Sequence, residues 1–213
     1  MEIDKNKFKQ FLTSVRGKTS VSAIELIEKD FYLNVLLSKL DIKGYMFKGG
    51  TCLAKAYLNY FRLSEDLDFT FVDQKLLEGK STKSIKKICK DKIDYFGGQL
   101  KNIGLDFIFN KANKKYVEIG SNNKLVTFKV YYTSILTGNP SFIKIQINFL
   151  EKIIFKPKTK EIFPLIYPNE FSKEDQIYYK EFLHFYIKRK ALVYDIKEVI
   201  TEKITTQQLC VGN

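Results

Sequence analysis

The stretch YMFKGGTCLAKAYLNYFRLSEDLDFTFV, residues 45–72, decides how the rest of the chain is arranged. Its opening apolar run stops at Gly49-Gly50, where the absence of a Cβ atom permits a sharp turn and lets a ligand approach the backbone closely. Thr51 is a good N-cap residue, and a helix is predicted to run from it through Leu53, Ala54, Tyr57 and Leu58. Residues 66–72 alternate between polar and apolar side chains, as a half-buried strand does. The predicted order is strand, glycine turn, helix, strand.

Two features of this stretch carry chemistry. A helix that begins beside two glycines presents free N–H groups and the positive end of its dipole, an arrangement that favours phosphate. Asp66 and Asp68 lie two residues apart on the predicted strand, so their carboxylates share one face, with Cα atoms roughly 6.6 Å apart. This spacing suits divalent ions. Each feature alone is commonly an ordinary turn or a solvated strand face, and it is their combination that favours a functional site.

These residues resemble the signature of a known superfamily. An apolar residue, Gly-Gly, a helix and then Asp-x-Asp is the order found in nucleotidyltransferases. The longer form KGGTxLxKxY followed by RxSxDxD is similar to the AbiEii branch, the toxins of bacterial abortive-infection toxin–antitoxin systems. The matching residues are Lys48, Gly49, Gly50, Thr51, Leu53, Lys55, Tyr57, Arg62, Ser64, Asp66 and Asp68. The resemblance implies an α/β (α+β) fold with a mixed sheet flanked by helices.

The resemblance also implies a reaction, the transfer of a nucleotide from an NTP to an RNA acceptor such as the tRNA 3′ end. Asp66 and Asp68 would hold Mg²⁺ (or Mn²⁺), and the blocked RNA would account for toxicity. The residues implied to bind the nucleotide and its phosphates are Lys48, Gly49, Gly50, Thr51, Arg62, Ser64 and, in a Glu-Lys element near the C-terminus, Lys203. A cognate antitoxin is implied as the protein partner.

The third metal-binding acid of the superfamily is not found where it is expected. Members place it on a later strand, but there this chain offers the amides Gln146 and Asn148. An amide lends a carbonyl oxygen to Mg²⁺ without charge. Glu118 is the one acid in a comparable sequence context, although it comes early. This departure favours an alternative, a catalytically degenerate nucleotide- or nucleic-acid-binding module. A hydrolase that uses the carboxylate pair would leave the glycine turn unexplained.

Composition limits the class of protein. With 213 residues, 45% of them hydrophobic, the chain can bury a real core. Its formal net charge of +12 favours a polyanionic partner such as RNA, although a lysine-rich composition alone is a weak signal. Three cysteines far apart support neither a disulfide framework nor a zinc site. The sequence shows no signal peptide pattern and no long apolar run, so we expect a cytoplasmic protein without a membrane anchor.

Hydrophobic spacing predicts the remaining elements and the domains. Helices are predicted over residues 3–16, 21–39 and 81–103, and strands over 105–109, 116–119, 125–133 and 141–150. Residues 156–176 are predicted to be a loop or linker, and the aromatic segment 177–190 to pack in the core. The predicted domains are a nucleotidyltransferase-like catalytic domain with N-terminal helices, residues 1–156, and a linker with a partial C-terminal helical region, residues 157–213.

Two surfaces of predicted helices have more than one interpretation. The lysines at 80, 83, 86, 87, 90 and 92 indicate either a solvated face or a contact with phosphates. Near the C-terminus, Ile196, Val199, Ile200 and Ile204 form an apolar stripe that in the family is covered by a further segment. We therefore expect self-association, a separate partner chain, or a natural short form.

Overall fold

The computed structural model describes residues 3–60 and 63–201. Its helices are α1 (Lys5–Lys18), α2 (Ile24–Lys39), α3 (Gly49–Ala56), α4 (Thr82–Lys101), α5 (Lys173–Tyr178) and α6 (Lys180–Leu183), and residues 196–201 are also helical. Its strands are β1 (Tyr45–Lys48), β2 (Asp66–Phe71), β3 (Val117–Gly120), β4 (Leu125–Thr133), β5 (Pro140–Asn148), β6 (Lys158–Ile162) and β7 (Arg189–Val193).

The strands form one seven-stranded mixed sheet in the order β3-β4-β5-β2-β1-β7-β6. β2 pairs with β1 in antiparallel and with β5 in parallel orientation, so the strand that carries the two aspartates lies at the centre of the sheet. β1 also pairs in parallel with β7, and the remaining pairs are antiparallel. The predicted fold class, a mixed α/β sheet with flanking helices, is confirmed.

One face of the sheet, here called the core face, is covered by α2 and α4, and α1 packs against α2. Because side chains alternate along a strand, Leu67, Phe69 and Phe71 of β2 all point to this face and are buried. Phe96 of α4 packs its ring against Phe69, with 6.2 Å between the ring centroids. The aromatic segment joins the same core through buried residues, listed as Tyr179, Phe182, Phe185 and Tyr186. The predicted core role of that segment is confirmed.

The opposite face of the sheet is divided into a covered and an uncovered part. Over β1 and β7 it is covered by α3 and by residues 196–201, where Met46, Leu53, Tyr194 and Val199 form a small apolar cluster. Val199 is thus buried in the described structure, whereas Ile200 is exposed and Ile204 lies outside the described residues. Over β2, β5, β4 and β3 the outward side chains are half-buried or exposed, except that of Thr70 near the end of β2, which is buried. We call this second part the open face.

The central turn differs from its prediction in where the helix begins and ends. α3 begins at Gly49 with Lys48 at its N-cap, so the prediction of Thr51 as N-cap is wrong. The Thr51 hydroxyl instead donates a hydrogen bond to the backbone carbonyl of Asp66, because the helix starts earlier and carries Thr51 over β2. The helix ends at Ala56 rather than continuing through residue 58.

Two of the other predicted segments also need correction. Residues 105–109 were predicted to be a strand, but only Asp106 pairs there, in a single antiparallel bridge to Tyr131. β6 lies within the predicted linker 156–176 and pairs with β7. Its sequence KTKEI shows no alternation of apolar and polar residues, because β6 is an edge strand and only the side chain of Ile162 is buried. The sheet therefore continues past residue 156, and the division into two domains stays a prediction. As far as the described residues go, no helix is long and apolar enough to cross a membrane.

Candidate active site

The glycine turn and the paired acids meet in space. Gly49 has φ +73°, a backbone conformation that glycine adopts without strain. A Cβ atom on Gly49 would lie 2.2 Å from Oδ2 of Asp68, so only glycine leaves room for this carboxylate. The carboxylate thus lies against the first turn of α3, where the helix dipole favours negative charge. The turn and the strand are parts of one site.

Asp66 and Asp68 point to the open face, as their spacing predicted. Nζ of Lys144, on the neighbouring β5, lies 3.1 Å from Oδ2 of Asp66. Burial raises the pKa of Asp68, and the negative charge of Asp66 raises it further, while Lys144 and Lys48 act in the opposite direction. The site therefore concentrates negative charge at the sheet surface and draws cationic side chains toward it.

The strand register decides which amide lies beside the acids. Gln146 is the direct neighbour of Asp68 across the parallel β2–β5 pair. Asn148 lies beside Thr70 instead, and its Oδ1 accepts a hydrogen bond of 3.1 Å from the backbone N–H of Leu150. Gln146 is thus the better placed of the two amides to complete a donor set.

No third acid joins Asp66 and Asp68 within the described structure. Glu118 lies on β3, where its carboxylate is 2.5 Å from Nζ of Lys129. Among residues 3–60 and 63–201, no group of three His, Cys, Asp or Glu side chains is arranged to hold a metal ion. On the two neighbouring strands β2 and β5, the oxygen donors beside the glycine turn are the carboxylates of Asp66 and Asp68 and the side-chain carbonyl of Gln146.

Glu151 is a site residue that sequence reasoning missed. It follows β5, and its carboxylate forms an ion pair with Lys48 and accepts a hydrogen bond of 2.6 Å from Oγ1 of Thr70. Nζ of Lys48 also lies over the Tyr194 ring, 5.3 Å from its centroid. Glu151 therefore links β1 and β2 close to Asp68. The available signal was an acid directly after a predicted strand, at the end of the sheet where the motif strand also ends.

The other predicted binding residues have different positions. Gly50 lies in the first turn of α3, and Ser64 is half-buried just before β2. Thr51 is buried and holds α3 to β2 through its hydrogen bond. Arg62 and Lys203 lie outside the described residues.

Lys55, a further residue of the sequence motif, is part of a buried polar network behind the site. Its side chain is 1% exposed, and Nζ donates to Oδ1 of Asp30 at 2.7 Å and to Oδ1 of Asn34 at 3.0 Å. The hydroxyl of Tyr60 is a third partner. Burial lowers the pKa of Lys55, and the charge of Asp30 opposes that shift. The network fixes α3, and with it the glycine turn, to α2.

A glycine turn that leads into a helix, next to two aspartates on the central strand of a mixed sheet, defines a nucleotidyltransferase-like protein. The family comparison gives the particular group. The model of the nucleotidyl transferase AbiEii toxin of type IV TA systems matches residues 36–209. The chain belongs to this family.

Two solved structures from Helicobacter pylori are also similar to the chain. They are JHP933, at 16% identity, and a protein described as a nucleotidyltransferase, at 14% identity, each with a TM-score of 0.36. Each match covers 84% of this chain, and 53% and 55% of the respective solved chains. The chain thus spans about half the length of the solved structures that it matches. Comparison with curated proteins gives no significant match.

Proposed function

We propose that this chain is a metal-dependent nucleotidyltransferase toxin that transfers a nucleotide from an NTP to an RNA acceptor such as the tRNA 3′ end. One observation carries the proposal. The carboxylate of Asp68 lies against the first turn of α3 at Gly49, with Asp66 beside it on the same open face. The turn proposed to bind phosphate and the carboxylate pair proposed to bind a cation are therefore adjacent. A nucleoside triphosphate needs both, because its phosphates are bound together with a divalent cation.

The donor set fits a divalent cation such as Mg²⁺ or Mn²⁺, because these ions prefer carboxylate and carbonyl oxygens. Asp66 and Asp68 would hold it, together with the amide carbonyl of Gln146. When bound, such an ion supplies electrostatic stabilisation of the charge that develops during phosphoryl transfer. The ion pair between Lys144 and Asp66 supports this assignment, since it marks the position as one that attracts positive charge.

The remaining residues of the site would bind the nucleotide. Backbone N–H groups at the start of α3 would contact phosphate, because Gly49 and Gly50 carry no side chains of their own that would cover these groups. Lys48, held by Glu151, would offset negative charge beside them. Ser64, Arg62 and Lys203 are proposed as further nucleotide-site residues from the family motif. Thr51, whose buried hydroxyl donates to the Asp66 carbonyl, would serve the site by holding α3 to β2. The proposal includes a cognate antitoxin as partner and a cytoplasmic location.

A second candidate is a catalytically degenerate module of the same fold that binds nucleotide or nucleic acid without turnover. It is favoured by Gln146, which takes the place next to Asp68 where the superfamily pattern has an acid. The two candidates differ in whether label from an NTP becomes covalently attached to RNA.

The test is incorporation of labelled NTPs into total tRNA, with Mg²⁺ present or withheld. We expect Mg²⁺-dependent incorporation by the natural chain, and a loss of about 100-fold or more in Asp66→Asn and Asp68→Asn, the scale on which a lost electrostatic contact slows a reaction. Asp91→Asn, an exposed acid on α4, is the matched control and should keep full activity. Full activity in either site variant would refute the metal assignment. NTP binding without incorporation would favour the degenerate module.

A further inference from the structure

The open face carries aromatic rings in the row next to Asp66, and the proposed transfer chemistry does not use them. Phe142 of β5 and Tyr131 of β4 are register partners, and their ring centroids are 5.3 Å apart. Phe142 is 38% exposed although it lies on a strand at the middle of the sheet. Most large apolar side chains on these strands point to the core face, so an exposed ring here needs an explanation.

The register fixes how far this pair lies from the carboxylates. Lys144 pairs with Asp66, and Phe142 comes two residues before Lys144 on the same strand. The offset is roughly 6.6 Å along the strand and 4.8 Å across it, so the Cα atoms of Phe142 and Asp66 are about 8 Å apart. A planar group that stacks on Phe142 would therefore have its attached atoms next to the paired acids.

Cationic side chains accompany the rings. Nζ of Lys115 lies 4.7 Å from the centroid of the Tyr131 ring, and its side chain is about half exposed. Lys129 is on β4 beside Lys144 in the register. The acidic partners of Lys115 and Lys129, at 3.7 Å and 2.5 Å, are half-exposed carboxylates. Such pairs in contact with water contribute little, so an incoming phosphate can replace them.

We propose that Phe142, Tyr131, Lys115 and Lys129 form a stacking patch for the single-stranded 3′ end of the nucleic-acid acceptor. This inference rests on the proposed function and adds the place where the acceptor lies. Rings on a sheet surface stack with unpaired bases, and nearby lysines contact the backbone phosphates. A protein partner would favour a larger apolar surface with fewer charges, whereas here each ring is bordered by lysine. A base on Phe142 would bring the terminal sugar to Asp66 and Asp68.

The experiment measures binding of a short labelled single-stranded oligoribonucleotide by fluorescence anisotropy, without NTP. Phe142→Ala should weaken binding about 5- to 150-fold, the loss expected for one stacked base. Phe142→Trp should restore it, which also covers the case that the alanine variant folds poorly. The control is Tyr95→Ala, which removes a 56% exposed ring from α4. Because α4 packs on the core face, on the opposite side of the sheet from the patch, this variant should bind as the natural chain does. Lys115→Gln should make the plot of log affinity against log salt concentration less steep by about 0.7, the contribution of one phosphate contact on a single strand.

The outcomes separate this inference from the proposed function. If the natural chain incorporates no nucleotide but binds RNA, and Phe142→Ala loses that binding, the patch is supported and the transfer activity is refuted. Incorporation with an unchanged acceptor KM and unchanged RNA affinity in Phe142→Ala would refute the patch and leave the activity standing. Equal losses in Phe142→Ala and Tyr95→Ala would also refute the patch, since a nonspecific effect would then explain both.

Discussion

Gly49 is the residue at which backbone conformation and site chemistry depend on each other. Its positive φ makes the turn into α3, and its missing Cβ leaves the space that Asp68 occupies. Any larger residue would both strain the backbone and displace the carboxylate. The first Gly of the motif is therefore required by two independent physical constraints.

Gly49→Ala should abolish nucleotide incorporation and destabilise the fold by about 1–3 kcal/mol, the cost of a positive φ in a residue with a Cβ. The matched control is Gly98→Ala, in the interior of α4, where a Cβ would meet nothing within 4 Å. That change should leave activity intact and stabilise the fold by about 0.5–1 kcal/mol. Urea denaturation and the incorporation assay measure both effects. Retained activity in Gly49→Ala would contradict the position assigned to Asp68.

The site residues that sequence reasoning found are those that lie close together in the chain. Asp66 and Asp68 share a face because of strand periodicity, which is a local property. Glu151 was missed because its partner Lys48 is 103 residues away, and the contact depends on which strands pair. The preference for Gln146 over Asn148 likewise required the β2–β5 register, which hydrophobic patterning does not set.

At the scale of the element, α3 is attached to α2 by the buried ammonium group of Lys55. Lys55 lies on the helix face turned away from the open face, and its ammonium group has three oxygen partners within the protein. A buried lysine is stable only with such partners, because it loses its hydration. The helix that begins at the glycine turn is thereby fixed to α2 by an ion pair as well as by apolar packing.

Lys55→Met should destabilise the protein by about 3–5 kcal/mol, because it leaves the carboxylate of Asp30 buried without its cation. The double change Lys55→Met with Asp30→Leu removes both charges and should recover part of that loss. The measurement is a double-mutant cycle by urea denaturation. It compares the natural chain with Lys55→Met, Asp30→Leu and the double variant. A single variant as stable as the natural chain would show that the ion pair is not buried in solution.

Sequence patterning worked for elements with one buried face and failed for those without. The prediction of β4 over residues 125–133 matches the observed strand because its side chains alternate clearly between the core face and the open face. β6 is a polar edge strand and was predicted as linker. The segment 105–109 has strand-like apolar residues, but tertiary contacts leave it a single bridge. Local pattern thus predicted the strand whose two faces differ clearly in burial, as those of β4 do, and missed the edge strand β6, whose side chains are mostly exposed.

At the scale of the molecule, the sheet separates two charged surfaces. The Asp66 and Asp68 carboxylates and the stacking patch lie on the open face, whereas α4 packs on the core face through Phe96. The exposed lysines of α4 therefore lie in the layer behind the site. Of the two interpretations of that lysine row, this placement favours a solvated face over a contact with the acceptor near the acids.

Replacing Lys83, Lys86, Lys87 and Lys90 together by Gln should change the acceptor affinity by no more than about twofold at physiological salt, because exposed charges more than about 8 Å away are largely screened there. Lys115→Gln and Lys129→Gln, on the open face, should instead weaken binding and reduce its salt dependence. The measurement is oligoribonucleotide anisotropy over a salt series, with thermal melting to verify that each variant is folded. If the fourfold variant lost affinity as steeply as the open-face variants, the acceptor would have to pass along α4. The path to Asp66 would then run around the edge of the sheet, and charge on both sides of the molecule would contribute to binding.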